Sequence, residues 1–354
     1  MKIETIVEKA DAASIQKAGE ILKNGGLVAF PTETVYGLGA NALDAEAAAK
    51  IYTAKGRPSD NPLIIHITNR KALDTIVTNV SEKAEKLMEA FWPGPMTLIF
   101  PKKDIVPYGT TGGLETVAVR MPSNPIALAV IEAGGGYIAA PSANTSGKPS
   151  PTMAEHVRED FDGKIEMILD GGPVDIGLES TIVDVSTATP VILRPGYISR
   201  EMLSEVIGPV EIDRALLLDD SKVPPKAPGM KYKHYAPNAD LKIVEGPEAE
   251  VIVAINRLVE EGEQNGEKVG VIATEETKAL YKGDFVRSIG SRQDELSISR
   301  HLFGLLREFN ELGVDKIYSE AFDTPKMGQA IMNRLMKAAG HQVIWLKEKN
   351  DETV

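Results

Sequence analysis

Short runs of β-branched and other apolar residues alternate with helix-length segments along most of the chain. From Ser14 to about Arg200 this alternation predicts an α/β domain. Strands are expected at Leu27–Phe30, Leu63–Ile67, Thr97–Phe100, Thr116–Met121, Tyr137–Ala140, Met167–Leu169, Thr181–Val185 and Val191–Leu193. Because no helix fits between the last two runs, they predict a hairpin, and the sheet is therefore expected to be mixed.

Helices are expected between these strands, where apolar residues recur at helical spacing. The predicted helices are Ser14–Asn24, Ala45–Thr53, Ser81–Phe91, Pro125–Glu132 and Thr152–Glu159. Thr152 and Glu155 have the spacing of a capping box, which predicts the start of the last helix.

After Asp240 strands and helices alternate strictly. The expected order is strand Lys242–Val244, helix Glu248–Glu261, strand Val269–Ala273, helix Glu275–Tyr281, strand Asp284–Ile289, helix Glu295–Leu312, strand Lys316–Ser319, helix Gly328–Ala339 and strand Val343–Leu346. This order predicts a smaller, Rossmann-like parallel α/β domain. The first of these strands is not followed by the GxGxxG phosphate-binding sequence.

A proline-rich interval separates the two patterns. It contains Pro224, Pro225, Pro228 and Pro237, and proline at this density cannot continue a helix or a central strand. The chain is therefore predicted to consist of a domain at 1–212, a linker at 213–238 and a second domain at 239–354. Residues 226–237 are also basic and aromatic, which a passive spacer does not need, so we expect this segment to close over a pocket as a lid.

Composition limits the function classes. The 354 residues include no cysteine, which excludes disulfide frameworks, thiolate zinc sites and cysteine nucleophiles, and fits a reducing cytoplasm. No apolar run approaches the roughly 18 to 20 residues that span a bilayer, so a cytoplasmic protein without a membrane segment is expected. The net charge of −12 means that an anionic ligand needs a local basic pocket.

Four cations have positions that could form such a pocket. Lys55, Arg57, Arg120 and Arg194 lie at or beside predicted strand ends, next to glycine or proline. In extended backbone Lys55 and Arg57 would share a face and could hold one polyphosphate. A solvated basic loop and a surface arginine paired with an acid are the alternatives for these positions, and a satisfied, half-buried histidine is the alternative for His66.

The segment 139–150 places hydroxyls, an amide and a glycine in one loop after a strand. Such a loop can donate hydrogen bonds to phosphate oxygens. It lacks the spacing of a Walker A loop, and Ser142 lacks the GxSxG context of a serine nucleophile. Binding of phosphate is therefore favoured over covalent catalysis.

Seven sequence blocks together resemble the YrdC family of threonylcarbamoyl-AMP synthases, in the long form with an additional C-terminal domain. The blocks are PTETVYGLG, KGRPSDNPL, TVAVRMP, PSANTSGKPS, LESTIVDV, LRPG and PGMKYKHYAP. The resemblance is close over the N-terminal domain and linker and looser after them. It implies a twisted mixed sheet of the YrdC type and a reaction that joins L-threonine, bicarbonate and ATP into threonylcarbamoyl-AMP with release of pyrophosphate, for threonylcarbamoyladenosine formation on tRNA.

The resemblance also assigns residues. It implies that the KxR and SxN motifs handle phosphate and are catalytic, which here are Lys55, Arg57, Ser142 and Asn144. Further nucleotide contacts are implied at Asn61, Thr116, Ser150, Arg194 and Tyr235. The threonine side is implied at Thr34, His66, Arg120, Ala140 and Ser180. Lys233 stands where arginine is common in the family, which leaves only a bidentate contact there in doubt.

Magnesium is expected with ATP, but no carboxylate cluster identifies a protein ligand for it, so no metal-binding residue is predicted. Direct partners are expected to be L-threonine, bicarbonate and ATP, with tRNA and the threonylcarbamoyl-transfer machinery as further candidates. Two other readings stay open at this point. One is an RNA-binding module without chemistry, and the other is a carbamoyltransferase that uses carbamoyl phosphate.

Overall fold

The computed structural model describes residues 3–213, 216, 235–322 and 324–346. The chain divides into two compact units, one formed by Met1–Ser146 with Ser150–Tyr232 and the other by Gly147–Pro149 with Lys233–Val354. Most of the predicted linker and lid lies outside the described residues. The domain boundaries at 212 and 238 therefore stay predictions.

The strands of the first unit form one sheet of 11 strands. They are β1 Ile6–Lys9, β2 Val28–Phe30, β3 Gly37–Asn41, β4 Ile64–His66, β5 Met96–Pro101, β6 Thr116–Arg120, β7 Ile138–Ala139, β8 Met167–Asp170, β9 Thr181–Asp184, β10 Val191–Arg194 and β11 Glu211–Ile212. Their order across the sheet is β1-β8-β2-β3-β7-β4-β6-β5-β9-β10-β11. Parallel and antiparallel pairs both occur, and β9 and β10 are antiparallel, so the mixed sheet and the hairpin are confirmed.

The helices of this unit lie between its strands in the chain. They are α1 Ala12–Lys23, α2 Ala45–Lys55, α3 Arg70–Ile76, α4 Glu82–Phe91, α5 Tyr108–Thr111, α6 Pro125–Ala133, α7 Ala154–Phe161 and α8 Arg200–Ile207. The predicted capping box is wrong, because α7 begins after Met153 without a side-chain cap. The backbone N–H of Thr152 instead donates to Nδ1 of His156.

Side chains alternate between the two faces of the central strands, and this alternation positions the candidate site. One face carries Ile65, Leu98 and Val119, which belong to the largest apolar cluster. The opposite face carries a smaller apolar cluster made of Ile64, Ile99, Ala118, Ile182 and Leu193. The second face also carries three polar side chains, each two residues from a member of the smaller cluster on the same strand. They are His66 on β4, Thr97 on β5 and Arg120 on β6.

The second unit contains a parallel sheet of five strands. The strands are β12 Asp240–Glu245, β13 Val269–Ala273, β14 Phe285–Ser288, β15 Lys316–Glu320 and β16 Val343–Trp345, in the order β14-β13-β15-β12-β16. Its helices are α9 Glu248–Gln264, α10 Glu295–Leu312 and α11 Gly328–Ala338. Every pairing in this sheet is parallel, which confirms the predicted class.

One predicted helix of this unit is wrong. Between β13 and β14 the expected helix Glu275–Tyr281 is only a 3-10 turn at Lys278–Leu280. The hydroxyl of Thr277 contacts that of Thr274 at 3.0 Å and accepts from its backbone N–H at 3.2 Å. Such local hydrogen bonds compete with a helix, which explains the shortened element.

Candidate active site

One row of paired residues crosses the centre of the N-terminal sheet. His66 on β4 is paired with Arg120 on β6, which is paired with Thr97 on β5. The row continues through Ile182 on β9 to Arg194 on β10, beside an irregularity in the strand pairing. Paired residues of neighbouring strands share a face of the sheet. The row therefore places the arginines of two distant motifs on the same face.

Arg120 lies near the middle of this row and is 4% exposed. Its Nη1 donates to Oγ1 of Thr34 at 2.9 Å and its Nε donates to the carbonyl of Gly94 at 3.3 Å. Its Nη2 lies 2.7 Å from Oε1 of Glu33. Besides Arg120, the backbone N–H groups of Glu33 itself and of Ser123 hydrogen-bond to this carboxylate. The guanidinium and the buried carboxylate are thus both held in place.

The β2–β3 loop presents Glu33 and Thr34 to Arg120. The hydroxyl of Thr32 donates to the carbonyl of Val35 at 2.7 Å and accepts from the backbone N–H of Thr34 at 3.1 Å. This side-chain turn fixes the loop without a helix. The backbone carbonyl of Thr34 accepts from the N–H of Gly177 at 3.0 Å, which fastens the loop to a second segment.

Burial sets the protonation states around Arg120. Burial, and after it the positive charge of Arg120, lowers the pKa of His66 from 6.5 to about 3, so this imidazole is neutral near pH 7. Burial alone would raise the pKa of Glu33, but the adjacent Arg120 outweighs it and holds this pKa below its usual value. The cluster therefore contains one cation and one anion, with a neutral histidine beside them.

Side-chain hydroxyls connect two members of the row, Thr97 and Arg194. Oγ of Ser180 lies 2.7 Å from Oγ1 of Thr97, and both side chains are fully buried. Nη2 of Arg194 donates to Oγ of Ser180 and its Nε donates to the Ser180 carbonyl, each at 3.1 Å. Ser180 therefore connects Thr97, in the middle of the row, to the second arginine, Arg194.

Lys55 lies at the end of a helix and not in extended backbone, so the predicted shared face of Lys55 and Arg57 is wrong. Lys55 is the last residue of α2, and Gly56 ends that helix in the left-handed region at a φ of 61°. Nζ of Lys55 donates to the carbonyls of Ser142 and Asn144, both at 2.5 Å. The helix end thus places the ammonium against the loop at 139–150.

Arg57 hydrogen-bonds to the backbone a few residues further along the chain. Its Nη2 donates to the carbonyl of Asn61 at 3.1 Å and to that of Pro62 at 3.2 Å. Oδ1 of Asn61 is buried and accepts no hydrogen bond from the described part of the chain. This amide therefore keeps acceptor capacity beside a guanidinium.

The remaining predicted residues lie in several places. Oγ of Ser150 donates to Oε1 of Glu179 at 2.6 Å, and both residues are buried. The N–H of Ala140 donates to the carbonyl of Ile64 at 3.0 Å, at the β4 side of the row. Thr116 begins β6, at the opposite end of that strand from Arg120, roughly 13 Å along it at 3.3 Å per residue.

Tyr235 belongs to the second unit. It has a φ of 65°, in the left-handed region that is uncommon for residues other than glycine. Its ring stacks on Phe303 with 5.0 Å between centroids. The neighbouring Met230, Lys231, Tyr232 and Lys233, on which the lid prediction also depends, lie outside the described residues.

Two absences apply to the described residues alone. Within residues 3–213, 216, 235–322 and 324–346, no group of at least three His, Asp or Glu side chains could hold a metal ion. Over the same ranges, no helix has the length and apolar character to cross a membrane.

Similarity to known proteins covers almost the whole chain. A family model described as "Telomere recombination", for the Sua5, YciO and YrdC proteins, matches residues 20–196, and one described as "Threonylcarbamoyl-AMP synthase, C-terminal domain" matches residues 198–340. The threonylcarbamoyl-AMP synthase of Bacillus subtilis is 52% identical over 93% of this chain and 94% of its own length. That of Pyrococcus abyssi is 49% identical over 97% of this chain and 98% of its own. The chain belongs to the threonylcarbamoyl-AMP synthases.

Solved structures of this family share the architecture. A crystal structure of P. abyssi Sua5 complexed with L-threonine has a TM-score of 0.91 and 48% identity, and covers 98% of this chain and 100% of the other. A double-alanine variant of the same Sua5 protein has a TM-score of 0.92 at 47% identity, over 97% of this chain and 98% of the other. The resemblance to threonylcarbamoyl-AMP synthases is therefore confirmed, and so is the fold class.

The synthase sequence contains three buried polar residues that sequence reasoning missed. Glu33 pairs with Arg120, Thr97 lies between Arg120 and Ser180, and Glu179 accepts from Ser150. Glu33 and Glu179 stand inside motifs that the resemblance already used, so an acid inside a buried motif was the available signal. Thr97 lay within a predicted strand, where nothing distinguished it from an ordinary core threonine.

Proposed function

We propose that this chain synthesises threonylcarbamoyl-AMP from L-threonine, bicarbonate and ATP, with release of pyrophosphate, for threonylcarbamoyladenosine formation on tRNA. The observation that carries this proposal is identity of about half over nearly the full length of two synthases. Two structural features support it. One is the row of residues from His66 to Arg194 across the N-terminal sheet, and the other is the contact of Lys55 with the loop at 139–150.

We assign the threonine end to the cluster around Arg120. This guanidinium is suited to the α-carboxylate, because its orientation is already fixed by Thr34 and Gly94. Glu33, held by Arg120, places a negative charge beside the position proposed for the ammonium group of threonine. His66, Ala140 and Ser180 complete the pocket, and the neutral state of His66 avoids a second buried cation beside Arg120.

We assign the nucleotide end to the phosphate-handling motifs. Lys55, Arg57, Ser142 and Asn144 would act on the triphosphate, and Lys55 already contacts the carbonyls of Ser142 and Asn144. The further ATP contacts proposed are Asn61, Thr116, Ser150, Arg194 and Tyr235. Thr116 is separated from Arg120 by the length of β6, a separation that suits the far part of a nucleotide.

The chemistry needs positioning and charge more than a covalent nucleophile. The threonine amine and bicarbonate give a carbamate and release water. A carbamate oxygen then attacks the α-phosphorus of ATP, and the bond from that phosphorus to the bridging oxygen breaks as pyrophosphate leaves with the electron pair. Lys55 and Arg57 would stabilise the charge that develops on the leaving pyrophosphate.

Magnesium would accompany the triphosphate. The described residues include no group of acidic or histidine side chains that fits a protein-held metal site. Glu33 and Glu179 are already engaged by Arg120 and Ser150. Phosphate oxygens and water would therefore supply the ligands, and no step here is assigned to the ion.

The remaining organisation is part of the same proposal. The catalytic domain would be 1–212, the linker and lid 213–238 and the additional domain 239–354, in a cytoplasmic enzyme. The product would pass to the threonylcarbamoyl-transfer machinery that acts on tRNA.

The direct test is product formation. The purified chain is incubated with L-threonine, bicarbonate and labelled ATP, and the adenylate and pyrophosphate are separated. We expect both products only when all three substrates are present. An RNA affinity that depends on salt, without ATP consumption, would favour the binding-module alternative. Product from carbamoyl phosphate without bicarbonate would favour the carbamoyltransferase.

Arg57→Ala tests the phosphate assignment. Loss of a charge-assisted contact to the leaving group should raise the barrier by about 2 to 4 kcal/mol, measured from kcat/KM. Arg70→Ala is the matched control, because Arg70 lies on α3 in an exposed ion pair with Glu85. Turnover of Arg57→Ala within twofold of the parent would refute the assignment.

A further inference from the structure

The segment between β5 and β6 is packed against the α2–β4 loop, which is residues 56–63. This segment contains the one-turn helix α5, which Gly112 ends in the left-handed region at a φ of 62°. The carbonyl of Thr110 on α5 accepts from the backbone N–H of Leu63 at 2.9 Å. The hydroxyl of Thr110 donates to the carbonyl of Ala42 at 2.7 Å. The short helix is therefore fixed to the chain both before and after α2.

The α2–β4 loop carries two of the groups assigned above to ATP, Arg57 and Asn61. The carbonyl of Asn61 accepts from the hydroxyl of Tyr52 on α2 and from Nη2 of Arg57, each at 3.1 Å. Asn61 is 1% exposed. The positions of the Asn61 amide and of the Arg57 guanidinium therefore depend on the backbone of this loop.

Gly112 approaches the backbone of this loop more closely than a side chain would allow. A Cβ at Gly112 would lie 3.0 Å from the carbonyl oxygen of Asp60, and 3.1 Å from the carbonyl carbon of Asp60 and from the nitrogen of Pro62, whereas ordinary contact begins at 3.4 Å. All three atoms belong to the backbone, so no side-chain rotation can make room. Because Thr110 fixes α5 and Asp60 is exposed, the loop is the part that would shift, by a few tenths of an ångström.

Two other glycines separate this close approach from the left-handed conformation itself. Gly113 has a φ of 86°, and nothing lies within 4 Å of the position of its Cβ. Gly313 ends α10 at the same φ of 62° as Gly112, and the position of its Cβ is also open. A positive φ is sufficient reason for glycine at all three positions. Of the three, only Gly112 is also pressed against a loop that carries proposed ATP contacts.

We propose that Gly112 is a positioning residue of the synthase, which sets the α2–β4 loop so that Arg57 and Asn61 meet the triphosphate. This inference rests on the proposed function, because its ATP contacts are assigned there. Groups that stabilise a transition state must be held within about 0.5 Å of the productive geometry, so a shift of a few tenths of an ångström is enough to weaken them. The cluster around Arg120 is fixed by strand pairing and by the β2–β3 loop, so threonine binding should be unaffected.

The test compares Gly112→Ala with two matched controls in the full-length chain. Gly113→Ala and Gly313→Ala introduce a side chain at a positive φ without the contact to Asp60. Values of kcat and KM for ATP and for L-threonine are measured from pyrophosphate release. We expect Gly112→Ala to lower kcat/KM for ATP about tenfold and to leave the KM for L-threonine within twofold of the parent. Both controls should stay within twofold of the parent for both substrates.

Thr110 provides a second test from the other side of α5, which applies also if Gly112→Ala does not fold. Thr110→Val keeps the side-chain shape and removes the hydrogen bond to the Ala42 carbonyl, whereas Thr110→Ser keeps the hydroxyl. We expect Thr110→Val to lower kcat/KM for ATP without changing the KM for L-threonine, and Thr110→Ser to restore the parent value. Urea denaturation of each variant gives its loss of stability separately from these kinetic values.

The equilibrium affinity for ATP separates this inference from the proposed function. It is measured by calorimetry on each variant and requires no turnover. A parent that binds ATP without forming the adenylate would contradict the proposed function, and a lower ATP affinity in Gly112→Ala alone would then still support the role of Gly112. Equal ATP affinities in Gly112→Ala and Gly113→Ala, or parallel losses for ATP and L-threonine, would overturn the inference while leaving the synthase reaction intact.

Discussion

Each unit of this protein contains a buried glutamate paired with an arginine near strand ends, and the two pairs are built differently. In the first unit Arg120 and Glu33 are both enclosed, with side chains 5% and 6% exposed. In the second unit Glu320 is 2% exposed, but Arg292 is 31% exposed. Glu320 also accepts from the hydroxyl of Thr277, whereas the hydrogen bonds of Glu33 besides that of Arg120 come from backbone N–H groups.

The two buried carboxylates therefore have their charges balanced in different ways. The Glu33 charge is balanced almost entirely by Arg120, so removal of either partner leaves an unpaired charge in a dry site. The Glu320 charge is balanced by an arginine that still reaches solvent, together with a hydroxyl. Removing one member of the Glu33–Arg120 pair should therefore lower the free energy of unfolding more than removing one member of the Glu320–Arg292 pair.

The largest effect is expected for Glu33→Gln. It removes the charge that balances Arg120 and should lower the free energy of unfolding by about 3 to 5 kcal/mol, measured by urea denaturation. The double change Glu33→Gln with Arg120→Gln should be less harmful than the sum of the two single changes, because no lone charge remains. Additive losses would show that the two charges are not coupled.

Glu320→Gln should have a smaller effect. The amide oxygen still accepts one hydrogen bond, and Arg292 can be solvated through its exposed part, so we expect a loss of about 2 kcal/mol of unfolding free energy. Urea denaturation of Glu33→Gln and Glu320→Gln in the same buffer compares their losses of unfolding free energy. A loss equal to that of Glu33→Gln would contradict the distinction between the two pairs.

The pH dependence of stability should contain a contribution from His66. Its pKa is about 3 in the folded chain against 6.5 as reference, so the unfolded chain binds more protons between these values. Stability is then lost as pH falls below 6.5, by about 2 kcal/mol between neutral pH and about pH 5. His66→Gln should reduce the measured loss by that amount. An unchanged loss in the variant would mean that His66 is protonated in the fold.

The smallest effect is expected for an exposed pair. Glu85 accepts from Arg70 through two oxygens, but their side chains are 42% and 38% exposed. Glu85→Gln should change the unfolding free energy by no more than about 1 kcal/mol, and less in high salt. A loss as large as that of Glu320→Gln would show that exposure does not set the ranking.

Strong local patterns were sufficient for much of the fold. Helix Glu295–Leu312 has the predicted ends, since an aspartate caps its start and a left-handed glycine ends it. Strand β3 was missed because its sequence Gly-Leu-Gly-Ala-Asn has no β-branched signal, and it is a strand only through its pairing with β2 and β7. Elements that depend on such distant partners are not visible in a local pattern.

The candidate site shows the same limit. Motifs placed Arg120 and Arg194 beside strand ends, but their common row depends on the strand order β4-β6-β5-β9-β10, which differs from the order in the chain. The shared face predicted for Lys55 and Arg57 was wrong, because helix α2 continues to Lys55 and Gly56 reverses the chain. The acid that balances Arg120 was missed, because charge pairing across 87 positions leaves no periodic signal (positions 33 and 120).

The row that crosses the N-terminal sheet also has a consequence for biosynthesis. Its members leave the ribosome in the order His66, Thr97, Arg120, Ile182 and Arg194. Arg120 therefore leaves the exit tunnel before β10, the strand that carries Arg194. A nascent chain shorter than 194 residues cannot complete the row, so its two arginines come to share one face only after nearly all of the N-terminal domain has been synthesised.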